Sequence, residues 1–113
     1  MVTIISFGYK HGGPPLDANV VVDVRFLWNP YQYKHLRHLR GTDARVQEAI
    51  LDESFVQVST LVNACKRIAL LQDNPRIAIG CTGGHHRSVC VAELLAREIG
   101  GKSVVLHRDL ERR

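Results

Sequence analysis

The sequence predicts one small α/β domain of three layers, built on a mostly parallel sheet of about four strands. Short apolar runs alternate along the chain with segments of helical periodicity, as in α/β folds with right-handed crossovers. A glycine-rich loop joins the third apolar run to a helix. With 113 residues, 45% of them hydrophobic, the chain suffices for a single core, so residues 1–113 are expected to form one domain.

The first half of the chain predicts two strands. Residues 2–7 form an apolar run that ends in a segment rich in glycine and proline. Residues 19–25 contain an almost unbroken valine run, which is typical of a strand covered on both faces. Asp23 and Arg25 follow this run and are expected near the edge of the sheet.

The middle of the chain predicts an irregular segment and then helices. Residues 26–41 mix aromatic and basic side chains without a clear period, so they are expected to be only partly ordered. Thr42 is a candidate cap for a short helix ending near residue 51, and Ser54 with Gln57 forms a capping-box pattern for a longer one. One stripe of this second helix is predicted to face the core: Phe55, Val58, Val62, Cys65 and Ala69.

The last third predicts a strand, a helix and a final strand. Pro75 precedes the run at 76–79, residues 87–99 place apolar side chains on one helical side, and Gly100 and Gly101 end that helix. Residues 102–106 are the last predicted strand.

The loop at residues 80–88 carries the strongest functional signal. Its adjacent glycines, Gly83 and Gly84, can adopt positive φ and turn N–H groups inward, and the following helix adds its free N–H groups and dipole. Arg87 supplies a planar donor fork that suits two phosphate oxygens. Further polar candidates in the loop are Thr82, His85, His86 and Ser88. These residues predict an anion site. The alternative is a purely structural turn that binds no ligand, with Cys81 as a small buried side chain.

A second interpretation of the same loop is enzymatic. The spacing from Cys81 to Arg87 and Ser88 is the C-x5-R-S pattern of cysteine-dependent phosphatases, in which a thiolate attacks phosphorus. Such chemistry needs a general acid, for which Asp23 is the first candidate. A phosphate loop of the G-x-x-x-x-G-K-[ST] type does not occur in these 113 residues.

Composition and charge limit the kinds of partner and cofactor that this chain is expected to have. A net charge of +4 and a pI near 9.3 favour anionic partners. Three cysteines at unrelated spacings indicate neither a disulfide framework nor a zinc motif, and no metal or cofactor is expected. Because no long apolar run or basic leader pattern is seen, we expect a cytoplasmic protein with no membrane segment.

Four blocks carry a resemblance to a known family: SFGYKHG from residue 6, DVRFLWNP from residue 23, IGCTGGHHRSV from residue 79 and HRDL from residue 107. Together they resemble the C-terminal domain of the RapZ family of RNase adapter proteins. Full-length members carry an N-terminal P-loop domain with no counterpart in these residues, so the family's nucleotide binding is not carried over.

The resemblance implies binding of a phosphorylated amino sugar, glucosamine-6-phosphate in the enterobacterial case, together with small-RNA binding and self-association. The ligand positions it implies are His11, Asp23, Arg25, Thr82, Gly83, Gly84, His86 and Arg87, and the loop itself adds Cys81, His85 and Ser88. The basic residues it implies for RNA are Lys102, His107, Arg108, Arg112 and Arg113. The sequence thus predicts a non-enzymatic, regulatory phosphosugar-binding module that forms a homo-oligomer, with RNA or a separate protein as further partners. The alternatives are a phosphatase using Cys81, Arg87 and Asp23, and a pure protein-interaction domain.

Overall fold

The fold is organised around a four-stranded sheet in which all neighbouring strands run parallel. The computed structural model describes residues 1–112. Its strands are β1 (Val2–Gly8), β2 (Val20–Asp23), β3 (Arg76–Cys81) and β4 (Ser103–His107), in the order β2-β3-β1-β4. The predicted α/β class and the parallel four-stranded sheet are confirmed.

Residues 1–112 contain three α-helices, of which two lie between β2 and β3 and one lies between β3 and β4. They are α1 (Lys34–Arg37), α2 (Ala44–Ile68) and α3 (Arg87–Ile99), with 3-10 turns at Tyr9–His11 and Pro30–Gln32. The helix α3 packs on the central strands and against α2, and Gly100 ends it with a φ of +83°. Fully buried Ile77 and Ile79 of β3 pack in one cluster with Val91 and Leu95 of α3. Within residues 1–112, no helix combines the length and apolar character needed to cross a bilayer.

The connection from β1 to β2 passes β3, and a right-handed crossover in that direction runs over the sheet face opposite α2 and α3. It covers that face only in part, because Val21 of β2 and Val104 and Leu106 of β4 are exposed. Asp17 of this connection forms an ion pair with Arg76 at 3.0 Å, and the Gly13 carbonyl accepts from Arg108 Nη1 at 2.6 Å. Arg76 begins β3 and Arg108 directly follows β4, so these two contacts attach the connection to both strands.

The predicted boundary between two central helices is present as a kink. Ser54 has φ −133° and ψ 33° inside α2, so the helix axis is interrupted where the second helix was predicted to begin. The Ser54 hydroxyl accepts from the Trp28 N–H at 3.1 Å, in place of the predicted capping box. The prediction that Phe55 faces the core is wrong, because Ser54 takes the inward position and Phe55 is 63% exposed. The stripe is buried from Val58 onward.

Two further expectations are corrected. Asp43, and not Thr42, caps α2, its carboxylate accepting from the Arg45 N–H at 2.9 Å. The strand β2 lies at an edge of the sheet and Val21 is 43% exposed, so the predicted cover on both faces of this strand is absent. The segment at 26–41 contains a 3-10 turn and α1, and stacking of Trp28 on Tyr33 at 5.1 Å helps to hold it.

The topology creates a natural ligand position at the carboxyl edge of the sheet. The connection that leaves β1 leads to β2, whereas the one that leaves the adjacent β3 leads to β4 on the opposite side. The loops after β1 and β3 therefore separate at this edge, which is where open parallel sheets bind ligands. The glycine-rich loop lies at that point.

Candidate anion-binding site

The loop between β3 and α3 is held closely against the end of β1. The Lys10 N–H donates to the Thr82 carbonyl at 3.1 Å. A Cβ placed on Gly8 would lie 2.5 Å from the carbonyl carbon of Gly83 and 2.8 Å from the nitrogen of Gly84. Because both sides of this contact are backbone, only glycine at position 8 allows the loop to approach so closely.

Positive φ is used at only one of the two adjacent glycines. Gly84 has a φ of +78°, whereas Gly83 is not in the left-handed region. A Cβ on Gly84 would meet the Gly8 nitrogen at 2.8 Å and the Asp109 Cβ at 3.0 Å. Gly84 is therefore required both for its conformation and for its lack of a side chain.

A cavity of about 270 Å³ opens over the loop. Its walls come from the ends of β1 and β3, the start of α3 and the segment before α1. The lining residues are Lys10, Asn29, Tyr31, Cys81, Thr82, Gly83, His85, His86 and Arg87. The structure thus brings six of the predicted ligand residues to one cavity: Cys81, Thr82, Gly83, His85, His86 and Arg87.

Arg87 is the main charged group in this cavity. It is only 6% exposed, and its Nη1 donates to the carbonyls of Arg25 and Leu27, the latter at 3.3 Å. Within residues 1–112, its Nε and Nη2 donate to no protein acceptor, and neither do the backbone N–H groups of Gly83, His85 and His86. Fixed by one nitrogen and open at the others, Arg87 can present a donor fork to an anion.

The two loop histidines are fixed by backbone carbonyls on the far side of the loop. His86 Nε2 donates to the Leu39 carbonyl at 2.6 Å, and burial lowers the pKa of His86, so its ring is neutral near pH 7. His85 Nε2 is hydrogen-bonded to the Arg112 carbonyl. These contacts fix the orientation of both rings beside the loop.

Cys81 and Ser88 form a buried pair beneath the loop. The Gly84 N–H donates to Cys81 Sγ at 3.3 Å, and Ser88 Oγ lies 3.1 Å from the same sulfur. Ser88 is fully buried and does not line the cavity, so it contacts the site through Cys81.

Five of the predicted ligand residues are not among those that line the cavity: His11, Asp23, Arg25, Gly84 and Ser88. Asp23 and Arg25 form a bidentate ion pair at 2.7 Å on the exposed end of β2, and the Arg25 guanidinium lies 3.8 Å from the centre of the Tyr9 ring. The hydrogen bonds from Arg25 lower the pKa of Asp23. The carbonyl of His11 accepts from Arg108 at 3.3 Å. Arg25 contributes its carbonyl, which fixes Arg87, and not its side chain.

Among the basic residues predicted for RNA, Lys102 lies apart from His107, Arg108 and Arg112. Lys102 precedes β4 while His107 ends it, about 16 Å further along a strand of five residues. His107 bridges Ser6 and Glu93, and Arg108 is paired with Asp109. Arg112 also pairs with Asp109, at 3.2 Å, and Arg113 lies outside the described residues.

A wider groove of about 500 Å³ lies on the other side of His85 and His86. Its arginines already have partners: Arg40 pairs with Glu111 at 2.7 Å, Arg112 pairs with Asp109, and Arg37 donates to the Tyr31 carbonyl. In the smaller cavity, by contrast, no carboxylate is among the lining residues. The smaller cavity is therefore the better candidate for an anion site.

Some residues of the site were missed from the sequence. Nothing in the sequence distinguishes Lys10 from an ordinary surface charge, yet its Nζ lies 4.0 Å from the position of a Cβ on Gly83. Asn29 and Tyr31 reach the cavity from a segment without a periodic signal. Asp109 is fully buried and accepts from the Gly8 N–H at 2.7 Å. Its sequence signals are its place in the HRDL block and its position directly after His107 and Arg108.

Asp109 is held ionised under the loop. Burial alone would raise the pKa of Asp109, but hydrogen bonds from Arg108 and from the Gly8 N–H outweigh it and lower the pKa. The Asp109 carboxylate therefore links the end of β1 to the chain after β4, next to the close contact between Gly8 and Gly84. Within residues 1–112, no three His, Cys, Asp or Glu side chains are grouped to hold a metal ion.

The parallel sheet, the split of connections at its carboxyl edge and the cationic cavity define a small α/β domain with a candidate anion site. Comparison with known proteins adds the family: the model of the RapZ C-terminal domain matches residues 1–111, and the chain belongs to that family.

Relatives come from several bacterial groups. A protein of Pediococcus pentosaceus is 40% identical over 99% of this chain, and one of Geobacillus thermodenitrificans is 43% identical over 99%. Both are named nucleotide-binding protein. The matches cover 41% and 40% of those proteins, so the chain spans about two fifths of their length.

Proposed function

We propose that this domain binds the phosphate group of a small phosphorylated ligand in the loop cavity and does not turn it over. The observation that carries the proposal is that Lys10 and Arg87 line one cavity with no carboxylate among its lining residues. The free N–H groups of the loop and the start of α3 add partial positive charge at the same place.

The cavity favours a ligand of about the size of a sugar phosphate. At about 270 Å³ it is at the small end of ligand sites, and Asn29 and Tyr31 provide polar and aromatic surface beside the cationic end. An amino-sugar phosphate fits this division, with its phosphate against Arg87 and its ring against Tyr31. Such a role agrees with a regulatory, ligand-sensing domain.

The relatives' name suggests nucleotides as a second phosphate-bearing class. That name describes proteins about two and a half times as long as this chain. The loop cavity contacts phosphate in the same way whatever the phosphate is attached to, so a nucleoside monophosphate belongs in the ligand panel.

Calorimetry with matched variants tests the proposal. The panel is glucosamine-6-phosphate, glucosamine, inorganic phosphate and adenosine monophosphate. We expect glucosamine-6-phosphate to bind and glucosamine to fail. Loss of one charge-assisted hydrogen bond, about 1.5–3 kcal/mol, should weaken binding about 10- to 150-fold in Arg87→Lys, which keeps the charge but loses the fork.

Exposed lysines supply the matched control. Lys10→Gln should weaken binding about fivefold, since Lys10 is exposed and its contribution is screened. Lys34→Gln removes the same charge from α1, away from the cavity, and should leave binding unchanged. Equal effects of the two lysine variants would indicate general charge attraction and refute the site.

A cysteine-dependent phosphatase is the second candidate, because two contacts of Cys81 favour it. Ser88 Oγ at 3.1 Å from Cys81 Sγ and the Gly84 N–H donated to that sulfur would stabilise a nucleophilic thiolate. The acid step is unsupported, since Asp23 is ionised beside Arg25 and lies outside the cavity. Hydrolysis of p-nitrophenyl phosphate that disappears in Cys81→Ser would establish this activity and replace the binding-only proposal.

A further inference from the structure

The three cysteines, all free thiols, lie in different surroundings. Cys65 and Cys90 are buried in α2 and α3, and neither lines the loop cavity. Burial raises the pKa of Cys65, and it raises the pKa of Cys90 to about 12. From the ordinary value of 9.0, the shift at Cys90 leaves about a thousandfold less thiolate at neutral pH. Both thiols are therefore expected to be inert in the folded chain.

Cys81 is placed differently because it is one of the residues that line the loop cavity. The residue is 3% exposed, yet it lines the space above the loop that admits molecules of the size of water. The Gly84 N–H donates to its sulfur, and the Ser88 hydroxyl lies within hydrogen-bond distance. Both groups can stabilise negative charge on Sγ.

An independent observation indicates that the cavity is built to receive a polar reagent. Arg87 is more than nine-tenths buried and lines the cavity with Cys81, and within residues 1–112 its Nε and Nη2 have no protein acceptor. A buried guanidinium with open donors stabilises an oxyanion or a departing hydroxide next to the sulfur. Hydrogen peroxide is only slightly larger than water and can reach the same place.

We propose that Cys81 is a modification site, at which hydrogen peroxide oxidises the thiolate to a sulfenic acid and so blocks the anion cavity. The sulfur attacks one peroxide oxygen, the O–O bond breaks, and hydroxide leaves. Sulfur is oxidised by two electrons and peroxide is reduced. Two equivalents of a small thiol reverse the step, giving the cysteine, a disulfide and water. The blocking effect rests on the proposed function, whereas the modification does not.

Peptide mapping of the intact folded chain tests the modification. The protein is treated with hydrogen peroxide, trapped with dimedone and digested, and the three cysteine peptides serve as internal standards for one another. We expect at least tenfold more dimedone adduct on Cys81 than on Cys65 or Cys90, and slower labelling when inorganic phosphate fills the cavity. Comparable adduct on all three thiols, or adduct only after unfolding, would overturn the inference.

Ser88→Ala tests the stated cause of the reactivity while keeping the thiol. Losing the hydroxyl beside Sγ should slow trapping at Cys81 severalfold without moving adduct to the other two cysteines. An unchanged rate would refute the role given to this contact. Since the variant removes one buried hydroxyl, its fold is checked by thermal denaturation first.

Calorimetry then tests the blocking effect. Phosphate-ester affinity should fall at least tenfold after peroxide treatment and recover with dithiothreitol. Oxidation of Cys81 with unchanged affinity would overturn the blocking effect. If the untreated chain binds no phosphate ester, the proposed function fails, and the labelling result alone decides whether Cys81 is the modified thiol.

Discussion

Gly8→Ala is expected to separate the end of β1 from the anion loop. The added Cβ would lie 2.5 Å from the Gly83 carbonyl carbon and 2.7 Å from its oxygen. Gly8 has φ −111° and ψ 128°, which alanine adopts without strain, so the whole effect is steric. Backbone on both sides leaves no flexible side chain to move aside, and overpacking of this kind costs about 1–3 kcal/mol.

That free-energy range converts to a measurable change in melting temperature. An unfolding entropy of about 2.1 cal/mol/K per residue gives about 0.24 kcal/mol/K for the chain, so Tm should fall by about 4–13 °C. Gly101→Ala is the matched control, because Gly101 has open space around its Cβ position and no positive φ. Calorimetric scanning of both variants, with phosphate-ester binding measured on each, provides the assay. If Gly8→Ala melts and binds like Gly101→Ala, the close contact between β1 and the loop is wrong.

Two other predictions concern buried polar groups beside the loop. Asp109→Asn should destabilise the fold by about 2–3 kcal/mol in urea denaturation, because the fully buried side chain loses its ion pairs with Arg108 and Arg112. The amide oxygen can still accept from the Gly8 N–H, but the NH2 group replaces one of the two oxygens that accept from Arg108. A change below about 0.5 kcal/mol, as at exposed sites in general, would contradict this role. The lowered pKa of His86 means that the unfolded chain binds its proton first, so stability is full above pH 6.5 and decreases as pH falls from 6.5 toward the folded pKa. His86→Gln can still donate to the Leu39 carbonyl and should reduce that pH slope, and an equal slope in both proteins would assign it to other groups.

The local chemistry of the loop could be predicted from the sequence because its donors are neighbours in the chain. Cys81, Thr82 and Arg87 are within seven residues, and a strand-to-helix turn brings such groups to one place whatever surrounds it. Lys10 and Tyr31 come from distant segments, and only the parallel pairing of β1 with β3 and the packing of residues 26–41 bring them there. That tertiary placement has no periodic signal.

The helices show the same division between local and tertiary effects. The break at Ser54 was predicted from a capping pattern, and the break exists. The capping partner was wrong because the Trp28 N–H competes for the Ser54 hydroxyl, and the resulting kink turns Phe55 outward. Propensity located the boundary, whereas a contact 26 residues away decided which side chain faces the core.

Binding of a phosphate ester at the loop cavity can be observed directly by an amide chemical-shift titration. Glucosamine-6-phosphate is added to the 15N-labelled chain, with glucosamine as the reference. We expect saturable shifts concentrated at the amides of Gly83, His85, His86 and Arg87, with a shift at Lys10 as well and none at Lys34. Shifts confined to the groove between α1 and the end of the chain, or no saturable shift at all, would contradict binding at this cavity.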